Sequence, residues 1–334
     1  MDGQLILLLL VIALGLGFEF VNGFHDAANA IATIVATRVL SPRVAVLMAG
    51  GLNLLGALSG TAVATTVGKG LVDSAAITLG TVAVALLAAI VWDLATWYFG
   101  LPSSSSHALL FGTMGAAVAT AGPGVIIPQG LATVSLGIVY SPVIGMVGGA
   151  LIMLIIIWVF RRTHADTISK IFGRAQLLSS AYMAFSHGSN DGQKTMGILS
   201  LALLTASAPG TPFQVPFWVI VACATAMGCG TAMGGWRIIK TVGFGMVQLR
   251  PVNGFAAETA AGTVIEVATR LGVPISTTHA ISGAIIGVGA LRGAKRVRWG
   301  AVAEIVTAWV LTIPGCFAIG WVLMMAVQRV FGAI

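Results

Sequence analysis

Long apolar runs separated by short polar stretches make up almost the whole chain. A membrane-spanning helix needs about 20 apolar residues, and the runs of sufficient length are 4–36, 43–66, 75–99, 101–122, 131–160, 176–205, 216–236, 254–271, 272–291 and 299–328. None of them alternates with a period of two, which argues against a transmembrane barrel. The pattern predicts an all-α integral membrane protein with about 10–12 transmembrane helices, some of them broken or folded into hairpins.

The composition supports a membrane protein. Of the 334 residues, 57% are hydrophobic and 8% are charged, whereas a soluble domain carries about 25% charged residues. The N-terminal residues MDGQ are not basic, and the first apolar run continues into a polar cluster, so no cleavable signal peptide is expected. The three cysteines lie in apolar runs without metal-ligand spacing and are expected to be buried free thiols.

The basic residues predict the orientation in the membrane. The formal net charge is +7, but most of the lysines and arginines lie at the ends of apolar runs, so a nucleic-acid partner is not expected. If the chain makes ten crossings and starts outside, the cytoplasmic ends carry most of these cations. The sequence therefore predicts a multi-pass protein of a prokaryotic cell membrane with both termini outside.

Two polar motifs occur twice, in the same order. FVNGFHDAAN at 20–29 aligns with FSHGSNDGQK at 185–194, with Phe, Gly and Asp in register. GLPSSSSHA at 100–108 aligns with GVPISTTHA at 272–280. Buried polar residues in a membrane protein must be satisfied, unlike lipid-facing apolar ones, so their repetition indicates a functional site.

The repetition predicts two halves, 1–160 and 176–334, joined by a polar cytoplasmic linker at 161–175. An odd number of crossings in each half makes them two inverted-topology repeats. In secondary transporters of this kind the site lies near the midplane, at the interface between the repeats.

The hydroxyl runs of the second motif pair predict an anion cradle. Proline fits the first turn of a helix, and serine or threonine satisfies the free N–H groups that follow. A helix N-terminus also attracts anions, so two such starts brought together suit a tetrahedral oxyanion. The alternative is that the hydroxyls only cap their helices. The hydroxyls are those of Ser104, Ser105, Ser106, Ser276, Thr277 and Thr278.

The first motif pair predicts a cation or proton site at Asp26 and Asp191. Their Gly- and Asn-rich surroundings favour local unwinding, and carboxylate, amide and carbonyl oxygens are ligands for a small cation. A carboxylate beside the substrate also favours phosphate over sulfate, because phosphate at neutral pH keeps a proton to donate. The amides that suit either substrate or cation are those of Asn22, Asn29, Asn190 and Gln193.

Five further polar residues are weaker candidates. His107 and His279 either line the site or pack as ordinary membrane histidines. Lys194 either neutralises substrate charge, pairs with a carboxylate or reaches towards the membrane surface. Glu258 and Asp93 are candidate ion-site residues or structural partners.

Together the four motifs resemble the signatures of the inorganic phosphate transporter (PiT) family, over about residues 15–325. The resemblance implies phosphate transport coupled to Na⁺ or H⁺, helical hairpins and a homodimer, with no cofactor besides the coupling cation. With the residue arguments above, it predicts phosphate-binding residues and cation-site residues. The phosphate set is Asn22, Asp26, Ser105, Ser106, Asn190, Asp191, Gln193, Thr277 and Thr278. The cation set is Asp26, Asn29, Ser104, Asp191, Ser276 and Glu258.

The leading hypothesis is a secondary active transporter that imports inorganic phosphate by cation symport with alternating access, and not an enzyme. One alternative is a carrier of sulfate or another oxyanion in the same fold. An intramembrane hydrolase built on Ser106 and His107 is disfavoured, because neighbouring residues of a helix point about 100° apart. An ion channel is disfavoured because nothing resembles a filter loop. The sequence leaves open Na⁺ or H⁺, and free or metal-bound phosphate.

Overall fold

The computed structural model describes residues 3–208, 210–291 and 293–332, and these are almost entirely helical. This confirms the predicted all-α class. Short 3₁₀ turns lie at Pro123–Val125 and Ala294–Arg296, and a π-helical turn follows α10 at Thr241–Gly245. The α-helices are α1 Gly3–His25, α2 Ala27–Ala36, α3 Pro42–Ala57, α4 Ala62–Gly70, α5 Leu79–Phe99, α6 Ser105–Ala121, α7 Pro128–Val159, α8 Ala165–Thr205, α9 Phe217–Met233, α10 Trp236–Lys240, α11 Pro251–Arg270, α12 Thr277–Leu291 and α13 Trp299–Phe331.

Several of these helices suit a membrane by length and composition, as expected of a multi-pass membrane protein. Within the described residues, four segments are long and apolar enough to cross a membrane: Gly3–Ala36, Leu79–Phe99, Pro128–Val159 and Trp299–Phe331. Two pairs of helices could each form one bent span and bring the number to six. α3 and α4 meet at a bend of 67°, and α9 and the segment Trp236–Gly245 meet at a bend of 59°. Four of the ten predicted runs, those of α6, α8, α11 and α12, are not among these segments. α6 and α12, with 17 and 15 residues, are too short for a full span.

The short helices α6 and α12 are second arms of hairpins, as the sequence predicted. In the first hairpin, Thr81 near the start of α5 hydrogen-bonds Thr120 near the end of α6 at 2.8 Å, so the two arms run antiparallel. Glycine ends the first arm of each hairpin in the left-handed conformation, Gly100 at φ 68° and Gly272 at φ 69°. These positive φ angles favour glycine and place the following hydroxyl run at the hairpin tip.

Each hairpin packs against the long helix of the other half of the chain. α6 lies along α13, and α12 lies along α7. The approach is close: a Cβ on Gly115 would stand 2.1 Å from the carbonyl oxygen of Phe317, and one on Gly287 would stand 2.0 Å from that of Met146. The same element order in both halves agrees with a duplication, and the boundaries 1–160, 161–175 and 176–334 stay a prediction.

Two local expectations need correction. α1 and α2 are interrupted at Asp26 as predicted, but Asp191 lies inside the continuous 41-residue helix α8. An intact helix suffices there because the Asp191 side chain, and not freed backbone, reaches the hairpin tips. The segment 161–175 is helical from Ala165 onwards, and its role as a cytoplasmic linker stays a prediction. Among the cysteines, Cys229 is exposed rather than buried, and a thiol behaves as a small apolar group at such a surface.

Candidate substrate and cation site

Asp26 and Asp191 meet in the interior of the protein on either side of His187. His187 Nε2 lies 4.0 Å from Asp26 Oδ2 and 3.4 Å from Asp191 Oδ2. All three side chains are buried, and one ligand atom from each lies within 4.8 Å of the others. Two carboxylates and an imidazole at this spacing are able to hold a cation.

The tip of the second hairpin closes one side of this group. Thr277 donates to Asp191 Oδ2 at 2.9 Å, and Thr278 Oγ1 lies 3.5 Å from Asp26 Oδ2. Asn29 donates to both threonines, at 3.2 Å and 2.9 Å. The structure therefore brings three predicted residues, Asn29, Thr277 and Thr278, into one network with the carboxylates of Asp26 and Asp191.

The tip of the first hairpin closes another side. Ser105 donates to Asp26 Oδ1 at 3.3 Å, and His25 Nδ1 lies 2.6 Å from the same oxygen. Lys194 donates to Asp191 Oδ1, to Ser106 Oγ at 2.5 Å and to the carbonyl oxygen of Ile275 at 2.7 Å. Carboxylate, hydroxyl and amide groups of both halves of the chain thus share one buried space with an ammonium group.

The two helix starts also lie next to each other. Ser106 Oγ is 3.4 Å from the Ile275 carbonyl oxygen, which precedes α12. The N–H groups of a first helical turn and its positive dipole end favour an anion. The site therefore offers donors for an oxyanion beside oxygens for a cation.

Three predicted amides take other directions. Gln193 accepts from the backbone N–H of Val63 at 2.8 Å, and Asn190 donates to Thr269 at 2.8 Å. They flank Asp191 on α8, and successive residues of a helix point about 100° apart, so adjacency in sequence moves them off the Asp191 face. Asn22 lies one turn before Asp26, and its Oδ1 has no hydrogen-bond partner within the described residues.

The hydroxyls of Ser104 and Ser276 cap their helices. Ser104 Oγ accepts from the N–H of His107 at 3.3 Å, and Ser276 Oγ accepts from that of His279 at 3.2 Å. The capping alternative thus describes these two residues. Their binding to a cation stays a prediction.

Glu258 lies in a separate buried cluster and does not join Asp26 and Asp191. It accepts hydrogen bonds from Thr33, from Ser179 and, at 3.0 Å, from Gln176 Nε2. These donors come from α2 and α8, so the carboxylate connects both helices to α11 through hydrogen bonds. All three donors are neutral side chains, and the place of Glu258 in the cation set stays a prediction.

The remaining weaker candidates sit around the first hairpin. Asp93 is buried on α5, one turn before Thr96, whose hydroxyl lies 3.0 Å from His25 Nε2. His107 and His279 contact each other with ring centroids 4.7 Å apart. No hydrogen bond joins Ser106 to His107 among the described side chains.

Two histidines of the site were not among the residues selected from the sequence. His25 touches Asp26, and His187 lies between both aspartates. The repeat alignment contained the signal, because His25 stands opposite Asn190 and His187 opposite Asn22. A position that is polar in both copies of the motif indicates a buried polar side chain.

Comparison with known proteins gives three kinds of match. The sequence model described as the phosphate transporter family matches residues 22–320. A probable low-affinity inorganic phosphate transporter of Bacillus subtilis (strain 168) is 43% identical over 333 residues, covering 99% of this chain and 100% of its own. One of the same description from Rhizobium meliloti (strain 1021) is 47% identical over 317 residues, covering 94% and 95%. The solved structure called "The sodium-dependent phosphate transporter" superposes with a TM-score of 0.88 at 26% identity, covering 98% of this chain and 100% of that one.

Proposed function

Because this chain belongs to the phosphate transporter family, we propose that it imports inorganic phosphate across the cell membrane by symport with Na⁺ or H⁺. The phosphate crosses without chemical change. The observation that carries the proposal is the single buried network in which both hairpin tips meet Asp26 and Asp191. The structural neighbour is named as sodium-dependent, which favours Na⁺ as the coupling cation.

The geometry gives a reason for coupling. Two carboxylates repel a phosphate anion, and a cation bound beside them lowers that repulsion, so each ion favours binding of the other. The hydroxyls of Ser105, Ser106, Thr277 and Thr278 supply donors to phosphate. Monohydrogen phosphate donates its proton to a carboxylate oxygen, whereas sulfate has none to donate, so the site selects phosphate.

Alternating access follows from where the site residues sit. They come from α1, α2, α8 and two hairpin tips, so a movement of the hairpins against the long helices opens the site to one side or the other. In this mechanism the two halves are inverted repeats, and the shared site lies where they meet. Bound phosphate and cation together permit the movement.

The test is phosphate uptake into proteoliposomes with a sodium gradient and a pH gradient imposed separately. One gradient should drive uptake, and Asp26→Asn and Asp191→Asn should both abolish it. Asp166→Asn, at an exposed acid on α8, is the matched control and should transport normally. Normal uptake in either site variant, or no uptake by the natural protein under both gradients, contradicts the proposal.

The same assay tests the substrate. Arsenate, which resembles phosphate in shape and protonation, should compete with phosphate, and sulfate should not. Strong inhibition by an equal concentration of sulfate would replace phosphate selectivity with general oxyanion transport.

A further inference from the structure

Asn29 and Lys194 occupy matching positions of the two repeated motifs, each three residues after its aspartate. Asn29 is neutral, and among the described residues its amide donates hydrogen bonds to the two threonines of the second hairpin and to no other group. Lys194 carries a positive charge into the same site. The two halves therefore differ by one fixed cation at an otherwise equivalent place.

The contacts of the Lys194 ammonium are those of a coordinated metal cation. Its three acceptors are a carboxylate oxygen of Asp191, the hydroxyl of Ser106 and the carbonyl oxygen of Ile275. They come from α8, α6 and the loop before α12, and the lysine is 2% exposed. Oxygens of these three kinds also coordinate Na⁺ in transporters with broken helices.

Asp26 has no such partner. Among the described residues, no lysine or arginine forms an ion pair with it, and its neighbours are His25, His187 and hydroxyl groups. A buried carboxylate needs a compensating charge. At Asp191 the chain supplies that charge permanently through Lys194, whereas at Asp26 it offers only the imidazoles of His25 and His187, which are charged only when protonated.

We propose that Lys194 is a built-in substitute for a second transported cation, so that the protein binds its coupling cation on the Asp26 side alone. The inference rests on the proposed cation symport and refines its stoichiometry. A side chain cannot dissociate, so the Asp191 charge stays neutralised throughout the transport cycle. The second half then contributes a fixed positive charge where the first half contributes an exchangeable one.

Sodium binding to the purified protein tests this without any need for transport. The natural protein and Lys194→Asn are compared by equilibrium binding of radioactive sodium. Lys194→Asn places the residue of the first motif in the second, and it should bind one more sodium per chain than the natural protein. This increment is expected because the variant gives Asp191 the same neutral neighbour that Asp26 has in Asn29, and Lys170→Asn, at an exposed lysine of α8, should show none.

A second variant covers the case in which Lys194→Asn does not fold. Asp191→Asn with Lys194→Met removes the buried pair together, which is less disruptive than removing one partner, and it should bind as much sodium as the natural protein. Equal sodium binding by the natural protein and folded Lys194→Asn overturns the inference, as does a loss of bound sodium in the double variant. Failure of the natural protein to take up phosphate would instead count against the proposed function.

Discussion

The imidazole of His187 is oriented from outside the site. Its Nδ1 lies 3.1 Å from Asn53 Oδ1, and the Asn53 amide donates to Thr231 at 2.8 Å. This pattern assigns the proton of a neutral ring to Nδ1, which leaves Nε2 with a lone pair directed between Asp26 and Asp191. His187 therefore either completes the ligand set of a cation or, when protonated, takes the place of one.

His187→Ala should weaken phosphate binding by roughly ten-fold or more, because the two carboxylates lose the group between them, and about 1.4 kcal/mol corresponds to ten-fold in affinity. The measurement is the phosphate affinity of the purified protein at fixed sodium and pH. His164→Ala, at an exposed histidine before α8, is the control. An unchanged affinity in folded His187→Ala would contradict a role for this imidazole in the site.

The repeated motifs allowed part of the site to be predicted. Asp26, Asp191, Asn29 and the hydroxyls at both hairpin tips were expected to meet, and they share one network. The directions of Gln193 and Asn190 were not predictable, because they depend on the face of α8 turned towards the hairpins. That face is set by packing against α3, α4 and α11, which a single sequence does not report.

At the scale of elements, glycines determine how closely the hairpins approach the long helices. Gly283 and Gly287 of α12 and Gly145 and Gly149 of α7 each face a carbonyl oxygen of the opposite helix. Such small residues let membrane helices pack at short distance. The sequence predicted the hairpins from their turns, but not that each would lie against the other half.

Gly287→Ala should lower the melting temperature of the detergent-solubilised protein by several degrees. Its Cβ would meet the Met146 carbonyl oxygen at 2.0 Å, and overpacking of this kind costs about 1–3 kcal/mol. Gly17→Ala on α1 gains the same helix propensity and meets no atom within 4 Å, so it is the matched control. Equal melting temperatures for the two variants would show that the α7–α12 contact tolerates separation.

At the scale of the whole molecule, cations gather on one region of the surface. Arg161 and Arg250 line one cavity, and Arg250 lines a second together with Lys295, Arg296 and Arg298. The sequence had assigned all of them to the cytoplasmic side. The orientation stays a prediction, as does the homodimer implied by the family resemblance.

Single cysteines in a cysteine-free variant test the orientation. Gln4→Cys and Gly332→Cys should react with a membrane-impermeant maleimide added to intact cells, because both termini are predicted outside. Arg162→Cys should react only after the membrane is permeabilised. Labelling of Arg162→Cys in intact cells, with none at the termini, would reverse the orientation. The natural cysteines to be replaced are Cys223, Cys229 and Cys316.

The exchange of hairpins between the halves has a consequence for biosynthesis. α6 ends at Ala121, and its partner α13 ends at Phe331, so the ribosome has to add about 210 residues before the first hairpin meets its long helix. At about 5–20 residues per second this takes roughly 10–40 seconds. During that interval the polar groups of Ser106 and Asp26 reside in the bilayer without their partners from the second half. The nascent first half is therefore an incomplete structure in the membrane until α13 is synthesised. A chain truncated before α13 should be a substrate for membrane proteases.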